Sequence, residues 1–246
     1  MTKVELVLGD CLEKMKDIPD GAVDLVLTDP PYGTTACKWD SVIPFEPMWE
    51  QLNRVIKPNG AIVLFGSEPF SSALRMSNIK NYKYDWVWEK SRPANFMLAK
   101  YQPMKYHENI LIFSDGKHNY YPIKFKGKKN HASKEGFGKH NIYNIKKNLR
   151  KINTSDIKNP KSIISIKSTD STKNLHPTQK PVALMEYLIK TYTNEGETVL
   201  DFTMGSGTTG VACKTLNRNF IGIELCKHYF YLAKKRIELT KSRSAS

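Results

Sequence analysis

The feature that most constrains this chain is a recurring pair: a short apolar run followed by a helical stretch, found near both ends. Val4 to Leu8 and Val23 to Thr28 are rich in valine and leucine, and each runs out at an acid, Asp10 or Asp29. Buried parallel strands read this way just before a functional loop. Between them, Cys11 to Ile18 fits a short helix stopped by Pro19 and Gly21. Met48, Trp49, Leu52, Val55 and Ile56 recur at helical spacing over Met48 to Lys57, and Pro58-Asn59-Gly60 signals a turn before a strand at Ala61 to Phe65. Tyr84 to Trp88 and Asn109 to Phe113 read as further strands. The alternation resumes with a helix from Pro181 to Tyr192, a strand Thr198 to Asp201, a helix Thr208 to Leu216, a strand Asn219 to Glu224 and a basic helix Lys227 to Leu239. Strands alternating with helices predict an α/β fold: a mostly parallel sheet with helices on both faces.

Between the two patterned ends the periodicity dissolves, and here charge becomes informative. The chain carries 38 basic and 24 acidic residues, a net +14. From Asp115 to Leu175 there are 15 Lys or Arg against 4 Asp or Glu, so this quarter holds +11 of the +14. Such a surplus favours a polyanionic partner, nucleic acid above all. The 246 residues suffice for one full core, so the expectation is a single domain over 1–246 with a basic insertion at 115–175. Cys11, Cys37, Cys213 and Cys226 are scattered, without the close pairs of a zinc site or the density of a secreted disulfide framework, so reduced thiols and no metal are expected. No apolar stretch nears the roughly 18 residues of a membrane span, and the N-terminus has no leader pattern, which points to a cytoplasmic protein.

Two motifs carry chemistry. Leu200-Asp201-Phe202-Thr203-Met204-Gly205-Ser206-Gly207-Thr208-Thr209-Gly210 follows a strand and opens a helix. Glycines there permit a sharp turn and close approach to a ligand at the sheet's carboxyl edge. The next strand ends at Glu224, 23 residues beyond Asp201, placed to accept hydrogen bonds from ribose hydroxyls. Together these features indicate a nucleoside-bearing cofactor. The second motif, Thr28-Asp29-Pro30-Pro31-Tyr32-Gly33, also follows a strand. Its prolines withhold two N–H donors and leave carbonyls and the Asp29 carboxylate as acceptors, a site suited to an amine. Tyr32 offers a flat face on which an extruded base could stack.

These residues resemble the amino methyltransferases that act on adenine N6 or cytosine N4 of DNA, over roughly Val4 to Phe70 and His176 to Ile237. In that family Asp-Pro-Pro-Tyr is catalytic and the glycine loop binds S-adenosylmethionine. The resemblance therefore implies the Rossmann-like methyltransferase fold, with Asp29, Pro30, Pro31 and Tyr32 as the catalytic set. It implies cofactor contacts at Asp10, Asp201, Phe202, Thr203, Gly205, Gly207, Thr208 and Glu224, with His176 and Lys180 in a segment that closes over the methionine end. Phe65-Gly66-Ser67 resembles the segment beside the target-base pocket. The catalytic motif precedes the glycine motif, an order similar to the circularly permuted β group, in which target recognition lies between them. The chain departs from the family's Asp-Pro-Phe-x-Gly-x-Gly: Phe is shifted by one position to 202 and the Pro is absent.

The implied reaction is an in-line attack of the amino nitrogen on the sulfonium methyl, with S-adenosylhomocysteine leaving and the base flipped out of the duplex. Double-stranded DNA is the implied partner, contacted by Lys124, Lys126, Lys128, Lys129 and Arg92, with Asn95 near them and Tyr120, Tyr121, Phe125, Phe137 and Tyr143 interleaved as stacking surfaces. A homodimer and a cognate restriction endonuclease, as in restriction-modification, are further partners the family suggests. Asp in the first motif position favours adenine; cytosine N4, RNA methylation and a non-catalytic DNA-binding protein stand as alternatives.

Overall fold

The computed structural model describes residues 2–34, 40–129, 155–169 and 178–242. The chain divides into two compact units, one of Met1–Tyr121 with Ser162–Ser246, the other of Pro122–Lys161. This second unit is shorter than the 115–175 stretch marked by charge. Its described part is a two-stranded antiparallel ribbon, β6 (Phe125–Lys126) with β7 (Ile157–Lys158).

The first unit contains β1 (Val4–Leu8), α1 (Cys11–Met15), β2 (Val23–Thr28), α2 (Phe45–Val55), β3 (Ile56–Gly66), α3 (Phe70–Ser77), β4 (Tyr82–Ala94) and β5 (Lys105–Phe113). After the second unit it continues with β8 (Ile163–Ser165), α4 (Val182–Tyr192), β9 (Thr198–Asp201), α5 (Thr208–Thr215), β10 (Asn219–Glu224) and α6 (Lys227–Glu238). Eight strands form one sheet in the order β1-β10-β9-β2-β3-β5-β4-β8. The five from β1 to β3 are parallel, and β5 runs antiparallel between β3 and β4.

Alternation along β2 shows why the sheet needs helices on both faces. Leu25 and Leu27 point into a cluster with Leu184, Leu188, Ala212 and Ile237 of α4, α5 and α6. Val23 and Val26 point the other way, into a cluster with Met15, Trp49, Leu52 and Leu74 of α1, α2 and α3. All six residues of β2 are buried, as expected of a central parallel strand. The chain leaves β2 toward β3 on one side and leaves β9 toward β10 on the other. The gap between the carboxyl ends of β9 and β2 is therefore a topological switch point, where open α/β sheets bind ligands.

Two local expectations are corrected. Pro58-Asn59-Gly60 does not end a segment: β3 runs through it, and the register with β2 shifts between Val23 and Leu25, so these residues form an irregularity within the strand. The patternless middle also contributes a sheet strand, since β8 pairs in parallel with β4 and buries Ile164; three residues are too few to show a periodicity. Among the described residues no helix is long and apolar enough to cross a membrane. Cys11 and Cys213 are buried free thiols, and Cys37 lies outside the described residues.

The last glycine of the loop motif serves packing. A Cβ on Gly210 would lie 2.4 Å from Ile237 Cδ1 and 2.7 Å from Phe220 Cε1, so α5 rests directly on α6 and β10. Gly210→Ala is expected to destabilise the fold by about 1–3 kcal/mol, the usual cost of overpacking, read as a lower urea midpoint with an unchanged slope; an unaltered midpoint would show that this contact has slack.

Candidate active site

Both chemistry-bearing motifs reach the switch point, and hydroxyl groups join them there. Thr28, the last residue of β2, donates to Asp201 Oδ1 at 2.5 Å, and Thr209 donates to Asp201 Oδ2 at 2.6 Å. The Thr203 backbone N–H also reaches Oδ1, at 3.2 Å. Burial lifts the Asp201 carboxyl to about 6 even though these donors pull it down. Thr203 Oγ1 lies 2.7 Å from Thr28 Oγ1 and donates to the Asp29 carbonyl at 3.1 Å, tying the glycine loop to the Asp-Pro-Pro-Tyr loop across 174 residues of sequence.

Asp29 follows β2 directly, so the sheet itself places it at the carboxyl edge. Tyr32 Oη donates to its Oδ1 at 2.5 Å and Lys180 Nζ to its Oδ2 at 2.5 Å. Each oxygen keeps acceptor capacity, because an ionised carboxylate has about four lone-pair directions. Lys180 is buried and also pairs with Glu108 Oε2 at 3.2 Å, while Glu108 Oε1 takes Lys90 Nζ at 3.0 Å. The side of the Lys180 ammonium lies 5.1 Å from the Phe65 ring. Four charges, two of each sign, thus form a linear chain from Asp29 through Lys180 and Glu108 to Lys90.

Burial raises the Asp29 carboxyl, and neighbouring Glu108 adds to this, outweighing the opposing pull of Lys180 and Tyr32. Burial alone would lower Lys180 and raise Glu108. Instead the two carboxylates hold Lys180 above its usual range, and Lys180 with Lys90 holds Glu108 below its own. Burial and the Asp29 charge push the Tyr32 phenol well up, so it is a donor at every physiological pH.

The loop shape is set by a residue the sequence did not single out. Buried Asp40 accepts the backbone N–H groups of Tyr32 and Gly33 at Oδ1, at 2.8 and 2.9 Å, and that of Thr34 at Oδ2, at 2.9 Å. The Tyr32 ring stacks on Phe70 with centroids 5.0 Å apart, so one of its two faces is already taken.

The expected cofactor residues separate into groups. Asp10 at the end of β1 and Glu224 at the end of β10 lie on adjacent strand tips, since Leu8 pairs with Glu224. Asp10 Oδ1 caps α1 by accepting from Leu12 and Glu13. Glu224 accepts the Gly205 N–H at 2.8 Å and the Cys226 N–H at 2.7 Å, which fixes the carboxylate and still leaves it lone pairs. Gly205 and Gly207 have φ of 51° and 75°, the region that favours glycine. The Phe202 side chain is buried in the core on the α1–α3 face, so any cofactor contact there would fall to its backbone. The Thr208 hydroxyl accepts from Arg236 Nη1 at 3.0 Å, a guanidinium that also holds Ser206. The Lys180 ammonium sits on Asp29 and Glu108, which adds a role at the Asp-Pro-Pro-Tyr loop to the cofactor contact expected of it. Its neighbour Gln179 accepts from Ser206 Oγ at 3.1 Å, linking this segment to the glycine loop. His176 lies outside the described residues.

Of the expected DNA contacts, Lys124, Lys126, Lys128 and Lys129 are exposed on the second unit, where Lys161 lies over the Phe125 ring at 5.9 Å. Arg92 is exposed on β4. Asn95 spends its side-chain oxygen on the Lys105 N–H at 2.9 Å. Tyr121 is tied to α4 through Thr191, and Tyr120 lies against Tyr192, so these aromatics pack on the first unit rather than interleave with the lysines. Phe137 and Tyr143 lie outside the described residues. Among the described residues no group of His, Cys, Asp and Glu is arranged to hold a metal ion.

Comparison with known proteins places this geometry. A family described as DNA methylase matches residues 23–235. The chain is 29% identical to the type II methyltransferase M.HpaI of Haemophilus parainfluenzae over 95% of its own length and 74% of the relative's. It is 28% identical to M2.DpnII of Streptococcus pneumoniae over 96% and 90%. Among solved structures, the M1.HpyAVI–SAM complex is similar with 32% identity, a TM-score of 0.63 and coverage of 96% of this chain and all of that one. The cytosine-N4-specific PvuII DNA methyltransferase, 18% identical with a TM-score of 0.68 over 96% of this chain and 86% of its own, shares the fold. With a family match over residues 23–235, this chain belongs to the DNA methylase family.

Proposed function

We propose that this DNA methyltransferase moves the methyl group of S-adenosylmethionine to N6 of adenine, at a specific site in double-stranded DNA. The observation that carries the reading is the Asp29 carboxyl at the switch point, held by a phenol on one oxygen and a buried ammonium on the other, with acceptor directions to spare. The residues present suit the cofactor. Two carboxylates on adjacent strand tips would take its nucleoside, Glu224 the ribose hydroxyls and Asp10 the adenine end, and exposed Leu225 beside Glu224 offers apolar surface for a purine. The cofactor supplies an electrophilic methyl on a sulfonium.

The chain supplies the rest. Asp29 and the carbonyls of the proline-held loop accept the N–H bonds of the amino group, which pyramidalises the nitrogen and frees its lone pair. The proton released as the N–C bond forms has Asp29 as its nearest acceptor, a carboxyl that burial has made more basic. Holding nucleophile and methyl in line is worth ~7 to 11 kcal/mol in well-oriented systems. The face of the half-buried Tyr32 ring that is not stacked on Phe70 would take the target base. Flipping that base costs a few kcal/mol, which contacts from Lys124, Lys126, Lys128, Lys129 and Arg92 would offset.

Asp in the first motif position supports adenine; cytosine N4 would use the same acceptors. The type II relatives support a cognate restriction endonuclease, and the β-group resemblance supports a homodimer and a cytoplasmic setting.

Asp29→Ala is expected to lower methyl transfer to DNA by about a hundredfold to a thousandfold while cofactor binding persists. Label from wild type should appear in N6-methyladenine; N4-methylcytosine would overturn the choice of base, and label only in RNA would overturn the DNA substrate. Because Asp29 must be ionised to accept, activity should rise with pH through its elevated pKa. Lys180 favours the charged form, so Lys180→Met should raise that pKa further and move the acid limb of the pH–rate profile to higher pH. An unmoved limb would show that Lys180 does not act on Asp29.

A further inference from the structure

Outside the catalytic loop and the lysine-rich stretch, the hairpin joining β4 and β5 has an unusual surface. Its stem closes where Ala94 pairs with Lys105, and Asn95, at φ 56°, turns the chain into a short 3₁₀ turn at Phe96–Leu98. The tip leaves large apolar side chains in water: Phe96 is 71% exposed, Met97 81% and Tyr101 86%. From Lys90 to His107 there are four cations, Lys90, Arg92, Lys100 and Lys105, and no acid. A contiguous apolar tip of this kind marks a contact surface rather than a random exposure.

Its position says what it meets. The stem carries Lys90 and Glu108, the outer members of the charge chain that ends on Asp29. Lys105 Nζ donates to Ser67 Oγ at 2.8 Å and to the Glu68 carbonyl at 3.2 Å, pinning the hairpin beside the carboxyl end of β3. Lys105 lies three strand steps from Glu108, about 10 Å at the usual rise, so the tip stands beyond the edge where the substrate base must arrive. A partner that is anionic outside and apolar inside, and is opened at this edge, is a duplex losing one base from its stack. A second copy of this chain would bring four cations against four.

We propose that the β4–β5 tip is an apolar wedge that enters the DNA base stack beside the extruded base, with Phe96, Met97 and Tyr101 as the inserted surface and the exposed cations Arg92 and Lys100 toward phosphates. Apolar wedges stabilise unstacked steps in this way. The inference rests on the DNA-methylation reading.

The test uses the full chain with Met97→Ala and Tyr101→Ala combined; both side chains lie in solvent, so folding should be unaffected. The substrate is a duplex carrying the site mapped from methylated bases in the wild-type reaction, with 2-aminopurine at the target. The variant should show a lower fluorescence rise on binding and a KM for duplex raised about tenfold or more. Cofactor affinity should be unchanged, and a duplex with an abasic site opposite the target, already unpaired, should be methylated at close to the wild-type rate. Equal flipping and equal KM in the variant and an active wild type would overturn the wedge alone. So would a change in sedimentation with DNA binding intact, which would make the tip a contact between copies. A wild type that methylates no DNA would overturn the functional reading and the wedge with it.

Discussion

The arrangement depends on one buried cation. Lys180 places its ammonium between Asp29 and Glu108, joining the loop after β2, the strand β5 and the segment before α4. No hydrophobic substitute could do the same, because removing one partner from a buried charge group leaves another uncompensated at about 3–5 kcal/mol. The chain is also balanced: Lys90 supplies the second positive charge that Glu108 needs once Lys180 is shared. Lys180 thus opposes the upward push that burial gives the Asp29 carboxyl, and the carboxyl is held in one orientation by Lys180 on one oxygen and Tyr32 on the other.

The sheet gives that carboxylate its meaning. Because the winding reverses between β9 and β2, the loops after those strands diverge and leave a crevice. The Thr28–Asp201–Thr209 bonds lock the two loops at its floor, and Thr203 carries the lock to the Asp29 carbonyl. A cofactor over the glycine loop and a base at Asp29, as proposed, would therefore share one floor. On the other flank, the hairpin whose stem holds Glu108 and Lys90 presents an apolar, basic tip, so the strands that set the charge of Asp29 also reach toward the substrate.

Much of this was legible in the sequence, because strands that end at a site announce themselves by an apolar run followed by an acid. The runs ending before Asp10 and Asp29 and at Asp201 and Glu224 gave both the fold class and the shared edge. What was not legible depends on pairing between distant segments. Glu108 and Lys180 are 72 positions apart, and no spacing rule links them; Lys180 was assigned to the cofactor from its neighbours alone. Asp40 caps the catalytic loop by folding back over a few residues, a contact that leaves no periodicity. Phe202 looked like part of a binding motif, yet odd and even positions of a strand end point to opposite faces, and its side is the core. The lysine-rich stretch gave a charge without a shape.

The most direct test of the central claim is a double-mutant cycle on kcat for DNA methylation with Lys180→Met and Glu108→Gln. If the two residues act through one charge chain on Asp29, neutralising Glu108 removes the uncompensated charge that the loss of Lys180 exposes. The double variant should then be less impaired than the product of the two single effects, with a coupling of about 0.5–3 kcal/mol. Strictly multiplicative losses would contradict the account and show that Lys180 and Glu108 contribute separately.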